Sequence, residues 1–210
     1  MVLEGLEERQ KPDRSFLAAR KDIVQRLSEI AKAKHLTLFG LVNEALEQMI
    51  RVNLVNKNLK DIVDEYEVIA LAKNTGSLIL LGDLWQPLIV KSQEAGEGTL
   101  ATERAWHEAG HWYGRLIKTE FSEGDRLETL GNALRVLLWG SSDFSVTRNK
   151  GTILLRCIGP RFPQPYTELL AHFLEGIFSA YGCALAKRDV SRGVIMLMFE
   201  LRKPLGEEGF

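Results

Sequence analysis

"DFSVTRNKGTILLRCIG", residues 143–159, reads as two short strands around a tight turn at Asn149, Lys150 and Gly151. Glycine takes positive φ without steric cost, which is what a short hairpin turn demands, so "NKG" between two apolar-rich runs is a hairpin signal. Outward from it, "CALAKRDV" at 183–190 and "VIMLMFELR" at 194–202 form a second pair of strands joined through "SRG". Between the hairpins a helix is expected from about Thr167 to Tyr181. Before them, Ser122 is expected to cap a helix running through Trp139, with Leu127, Leu130, Leu134, Leu137 and Leu138 on its buried side. Two hairpins interleaved with helices imply an α+β fold, an antiparallel sheet covered on one face by helices.

Upstream, "AWHEAGHWYG" at 105–114 lies on a helix expected from about Thr102 to Lys118. His107, Glu108 and His111 have the spacing with which zinc peptidases hold a cation and a general base. At 100° per residue, Arg104, His107, Glu108, His111, Arg115 and Lys118 fall in one polar stripe. Ala105, Trp106, Ala109, Trp112, Tyr113, Leu116 and Ile117 take the opposite side, which is expected to be buried. Three cations in the stripe repel Zn²⁺, Arg104 is one turn from Glu108, and Ile117 stands where one peptidase class has its third ligand. The expected reading is a solvated face with no metal, no cofactor and no catalysis. The alternative is a zinc-dependent hydrolase, with His107 and His111 as ligands and Glu108 as base.

Leu59, Ile62, Val63, Tyr66, Ile69 and Ala70 mark an amphipathic helix closed by "NTG" at 74–76. The segment "SLILLG" at 77–82 reads as a strand. Asp83 is expected to cap a short helix through "LWQPLIV", where Pro87 is tolerated only in the first turn, and "EAGEG" at 94–98 is a loop.

Residues 9–60 carry eleven Lys or Arg against five acids, a charge of +6 within a chain whose net charge is -1. A basic segment on a mildly acidic body fits a nucleic-acid-binding module joined to a second domain. Ile23, Val24, Leu27, Ile30 and Ala31 fall on one face of a helix starting at Lys21. After "KHLT", Leu41, Val42, Ala45, Leu46, Met49 and Ile50 mark a second, with Thr37 as its N-cap. Ahead of both, "RSFLAAR" at 14–20 alternates as one short strand. A strand and two helices in about 40 residues cannot bury both helix faces, so a partner chain is implied.

Over "IVQRLSEIAKAKHLTLFGLVNEALEQMI", and across roughly residues 14–51, the sequence resembles the ribbon-helix-helix family of DNA-binding repressors. That resemblance implies a homodimer whose paired strands enter the major groove of double-stranded DNA. It places Leu17 and Ala19 toward the core and Arg14, Phe16 and Ala18 toward DNA, with Arg20 at the ribbon's end. Thr37 and Leu38 stand at the phosphate-gripping start of the second helix. The segments "HEAGHWYGRLI", "LETLGNALRVLLWG" and "LLAHFLEGIFSAYGCALAKRDVSRGVIMLMFEL", over roughly 60–202, resemble the 4-vinyl-reductase-type small-molecule-binding domain, related in fold to subunits of the TRAPP trafficking complex. Such a domain implies a pocket between helices and sheet. Trp112, Trp139, Cys157, Phe173, Phe178, Met196 and Met198 are the candidates to line it.

The expected organisation is therefore residues 1–52 as a DNA-binding domain and 59–204 as a sensor of a small apolar or amphipathic ligand. Together they make a ligand-responsive transcriptional regulator; a non-catalytic assembly adaptor is the further alternative. No apolar run is long enough to span a bilayer and the acidic start lacks a signal peptide's features, so a cytoplasmic location away from membranes is expected. Cys157 and Cys183 are expected to be small buried hydrophobes.

Overall fold

The computed structural model describes residues 15–77, 82–94, 99–121 and 125–201. By contacts the chain divides into two compact units, Met1–Ile62 and Val63–Phe210.

In the first unit, α1 (Lys21–Ala33) and α2 (Leu38–Leu54) form a helical hairpin. His35, at φ 55°, turns the chain between them. Thr37 caps α2 as its position predicts, its Oγ1 accepting a 3.0 Å hydrogen bond from the Gly40 N–H. The expected strand at 14–20 is not seen over Ser15–Arg20, which carries no secondary structure, and Arg14 lies outside the described residues. The physical reason is that a strand is defined by its ladder, and among the described residues no second strand pairs with this segment. α2 runs on to Leu54, four residues past the last expected apolar position. Asn56, at φ 54°, follows it, and α3 (Leu59–Asn74) begins in this unit and continues into the second.

The second unit is mixed α+β. Helices α4 (Gly82–Glu94), α5 (Thr99–Glu120) and α6 (Arg126–Leu137) precede β1 (Asp143–Asn149) and β2 (Thr152–Ile158). Then come α7 (Gln164–Ala180), β3 (Cys183–Ser191) and β4 (Val194–Leu201). The two hairpins join into one antiparallel sheet of order β1-β2-β4-β3, with Leu155 opposite Leu197 at the β2–β4 seam. Lys150 and Gly151, at φ 40° and 91°, make the first turn, and Gly193, at φ 73°, completes the second.

Along β2 and β4 burial alternates strictly, so Ile153, Leu155 and Cys157 share the covered face with Ile195, Leu197 and Phe199. α7 lies on β3 and β4, α6 on β1, and α5 packs along α7. Phe178 of α7 stacks on Phe199 of β4, ring centroids 4.5 Å apart and planes 10° from parallel. Thr167, fully buried, ties the start of α7 to the second turn: its Oγ1 donates to the Pro163 carbonyl and accepts from the Gly193 N–H.

Several local expectations change. Asp125, not Ser122, caps α6, accepting from the N–H groups of Leu127 and Glu128, and that helix ends at Leu137. Ser122 lies outside the described residues, as do Leu78–Leu81 of the expected strand and residues 95–98 of the expected loop. Asp83 sits inside α4, and Pro87 is well beyond its first turn, where it withholds one intrahelical hydrogen bond.

Candidate functional site

In the first unit, Phe16, Ala18 and Arg20 are exposed. The Arg20 guanidinium bonds the Asp22 carboxylate through two nitrogens, Nε to Oδ1 at 3.1 Å and the second to Oδ2. That pairing holds the Asp22 carboxyl below the usual carboxylate range. Thr37 and Leu38 are at the N-terminus of α2, where unpaired backbone N–H groups and the helix dipole favour an anion. Of the hairpin's apolar residues only Ala31 is buried. Ile23 and Ile30 are each 44% exposed and Phe39 is 56% exposed, on a surface that also carries Lys21, Arg26, Lys32 and Lys34.

In the second unit, the packing face of α5 agrees with the hydrophobic pattern only in part: Ile117 is buried and Trp106, Tyr113 and Leu116 are half-buried as expected, but the closest approach is made by glycines. Gly110 and Gly114 are buried against α7, and Gly176 of α7 lies against the backbone of His107 and His111. A Cβ at Gly176 would stand 2.0 Å from the His107 carbonyl oxygen, and one at Gly114 would stand 2.7 Å from that of Ile177. The helices therefore meet backbone to backbone, with Ile117 buried at one end of the seam. His107 and His111 flank it half-buried, so the expected fully solvated stripe is corrected for both. Ala105, Ala109 and Trp112, expected inside, are exposed.

Glu108 is exposed and bound by the Arg104 Nε at 2.7 Å. Among the described residues, no group of three or more His, Cys, Asp or Glu side chains converges to hold a metal ion.

The seven residues expected to line a pocket occupy different environments. Cys157 and Phe178 are in the core, where burial pushes the Cys157 thiol, helped by the Asp143 charge, up to about 12. Trp112 and Trp139 are exposed. Met196 and Met198 sit on the sheet face opposite the core, exposed and half-buried respectively. Phe173 joins an aromatic group, and Trp112 meets that group's Tyr113 at 6.0 Å.

That group is a feature the sequence did not signal. Tyr166 of α7 meets Trp85 of α4 edge-on at 4.5 Å, Phe162 at 4.9 Å and Trp106 of α5 at 6.0 Å. Trp106 and Tyr113 each approach Phe173, at 6.5 and 6.1 Å. Burial raises the Tyr166 phenol well above its ordinary value. The rings belong to segments as far apart as residues 85 and 173, so no local spacing marks them as a set.

A charged network lies where α5, α7 and β3 meet. Arg188 of β3 donates to Glu168 at 2.6 Å and to Glu175 at 2.8 Å. His172, between those acids on α7, is 3.6 Å from Glu175 and 3.8 Å from Glu103 of α5.

No family model, curated protein or solved structure matches the chain. Among the described residues, no helix is long and apolar enough to cross a membrane.

Proposed function

We propose that this chain is a dimeric, ligand-responsive DNA-binding transcriptional regulator, residues 1–52 binding double-stranded DNA in the ribbon-helix-helix manner and residues 59–204 sensing a small apolar or amphipathic molecule. One observation carries the reading: among the described residues, the α1–α2 hairpin leaves Ile23, Ile30, Phe39, Met49 and Ile50 exposed, on a segment of charge +6. Among its described residues this unit buries a single apolar side chain, too little core for it to stand alone. A second copy supplies what is missing. Its residues 14–20 pair with their equivalents into a ribbon that satisfies both backbones, and its helices cover Ile23, Leu27 and Leu46.

The same pairing doubles the basic surface, and phosphate contacts by Lys and Arg provide most non-specific affinity for DNA. In the ribbon, period-two alternation puts Arg14, Phe16 and Ala18 on the side facing the groove. For the second domain, the half-buried rings of Trp85, Trp106, Tyr113, Tyr166 and Phe173 offer flat apolar surfaces to an aromatic or aliphatic ligand. A ligand shifts DNA affinity to the extent that it binds one arrangement of the dimer better than another.

The test is sedimentation of the full-length chain together with titration of a fluorescent DNA duplex at two salt concentrations. The expected result is a dimer whose affinity falls steeply with salt. A dimer that binds no duplex leaves the first unit as an assembly module, and a monomer overturns the reading altogether.

A further inference from the structure

Tryptophan and tyrosine carry a polar tip on an apolar ring, and inside a protein that tip usually finds a hydrogen-bond partner. Three members of the aromatic group in the second unit do not. The indole N–H groups of Trp85 and Trp106 and the Tyr166 hydroxyl bond none of the described residues, although all three rings are half-buried against one another. Among the described residues, no side-chain nitrogen or oxygen that is sealed from solvent lacks a partner. Each of the three tips is therefore open to solvent.

The chemistry of the tips names what they lack. An indole nitrogen only donates, and a neutral phenol donates as well as accepts. Tyr166 is the centre of the set, its ring meeting Trp85, Phe162 and Trp106 edge-on at 4.5, 4.9 and 6.0 Å. Burial first, and the neighbouring Cys157 second, raise its phenol well above the ordinary value, so at neutral pH the hydroxyl keeps the proton it would donate. We infer that this group takes an amphipathic ligand with a flat apolar body and an acceptor oxygen, the body lying against Trp85, Trp106 and Tyr166 and the oxygen accepting from the Tyr166 hydroxyl.

The inference deepens the sensing role proposed above for the second unit and rests on it. None of the three contacts to Tyr166 is a face-to-face stack, the planes standing 81°, 90° and 73° apart, so a flat body has ring faces left to lie against. An apolar wall with a few fixed polar groups is the ordinary make-up of a small-molecule site. Water can satisfy the hydroxyl while the site is empty. A body of the same shape with no acceptor displaces that water and leaves the donor unpaired, which is how such a site rejects it. Because Trp85 belongs to α4, Trp106 to α5 and Tyr166 to α7, the ligand bridges three helices.

Two ligands of nearly matched shape test this: 2-acetylnaphthalene, which carries a carbonyl oxygen, and 2-ethylnaphthalene, which does not. Equilibrium dialysis of each against the full-length chain gives two affinities, for the wild type and for Tyr166→Phe, which keeps the ring and removes the hydroxyl. The ratio of the two affinities cancels any general change in packing. It is expected to fall about threefold to tenfold in Tyr166→Phe, the range of one net hydrogen bond. A second measurement needs only the wild type: the infrared carbonyl stretch of bound 2-acetylnaphthalene is expected below its frequency in hydrocarbon. A ratio unchanged by Tyr166→Phe, or a bound carbonyl at its hydrocarbon frequency, overturns the acceptor contact, while saturable binding of either ligand leaves apolar sensing standing. Saturable binding of neither ligand overturns the sensing role and the acceptor contact together.

Discussion

Gly110 lies so close to Phe173 that a Cβ on the glycine would stand 1.9 Å from the phenylalanine carbonyl oxygen. Backbone atoms cannot give way as a flexible side chain can, so Gly110→Ala must push α5 off α7. Inserting a methyl group into a packed seam costs about 1–3 kcal/mol, and more where backbone must shift. Gly176→Ala, facing the His107 carbonyl at 2.0 Å, is expected to behave alike. Gly131 in α6 is the contrast. Its added Cβ meets Val146 at an ordinary 3.6 Å, and alanine improves helix propensity by up to about 1 kcal/mol. Thermal melts should show large drops for Gly110→Ala and Gly176→Ala and an unchanged or raised midpoint for Gly131→Ala.

Replacing His107 and His111 together by Ala should cost far less than either glycine change. The seam uses the backbone of these residues, while their side chains sit half-buried at its edge. A loss within about 1 kcal/mol is expected, in the lower part of the range for point changes. Glu108→Gln should stay within about 0.5 kcal/mol, since the Arg104–Glu108 pair is an exposed i,i+4 contact. Melting wild type and double variant with and without added zinc checks this: a zinc-dependent rise present only in the wild type would restore the hydrolase reading.

Arg188 reaches two acids a full seven residues apart on α7, and Glu175 is only 12% exposed. Arg188→Met keeps much of the apolar stem but removes the guanidinium from both carboxylates, leaving Glu168 only the hydrogen bond it accepts from Gln164 at 2.7 Å. Hydrogen bonds to charged groups are worth about 1.5–3 kcal/mol, so denaturant unfolding should report a loss near the lower figure, given the partial exposure of the pair. A double variant that also carries Glu168→Gln should lose less than the two single losses added together.

Much of the second unit was legible because its signals are local. Gly151 and Gly193 mark turns that need positive φ, and period-two burial in β2 and β4 follows directly from their order of apolar residues. The packing face of α5 was only partly legible for a physical reason: Gly110 and Gly114 contribute through having no side chain, and a hydrophobic pattern scores them as nothing. Trp112 and Ala109, placed on the expected buried side together with Ile117, stand exposed while Ile117 is buried. Residues 15–20 illustrate a different limit, because alternation shows which side chains share a face but not whether a second strand is present. The aromatic group around Tyr166 was hidden because Trp85, Trp106 and Phe173 come from three separate helices.

Burial also fixes how the cysteines respond to pH. The Cys157 thiol ordinarily ionises near 9.0 and is held up to about 12 in the folded chain, and Cys183 is held up to about 11. Between those limits the unfolded chain has released protons that the folded chain retains. Stability conferred by the neutral thiols is therefore fully present below pH 9.0 and is lost as pH rises toward 11 and 12. At pH 8 both thiols should react with an aromatic disulfide reagent only as fast as the unit opens. Rapid labelling of either cysteine in native protein would contradict the packing around it.

Asp22 gives the DNA-binding reading its sharpest test, because it engages the Arg20 guanidinium through two nitrogens. A carboxylate beside a phosphate backbone opposes binding, and a guanidinium already occupied cannot release a counterion from DNA. Asp22→Asn removes the opposing charge and frees Arg20, so the slope of log affinity against log salt should steepen by about 0.9, the equivalent of one added phosphate contact. Arg14→Ala should act differently, relaxing preference at one position of each half-site by about 1–3 kcal/mol with little change for scrambled duplex. Asp22 also sits in the first turn of α1, where a carboxylate favours the helix, so helix content needs to be matched by circular dichroism before affinities are compared. Fluorescence anisotropy on a selected and a scrambled duplex over a range of salt supplies both slopes, with Glu108→Gln as the control outside the first unit. Indistinguishable salt slopes for Asp22→Asn and wild type would place Arg20 away from DNA, and unchanged preference in Arg14→Ala would take base recognition away from the ribbon.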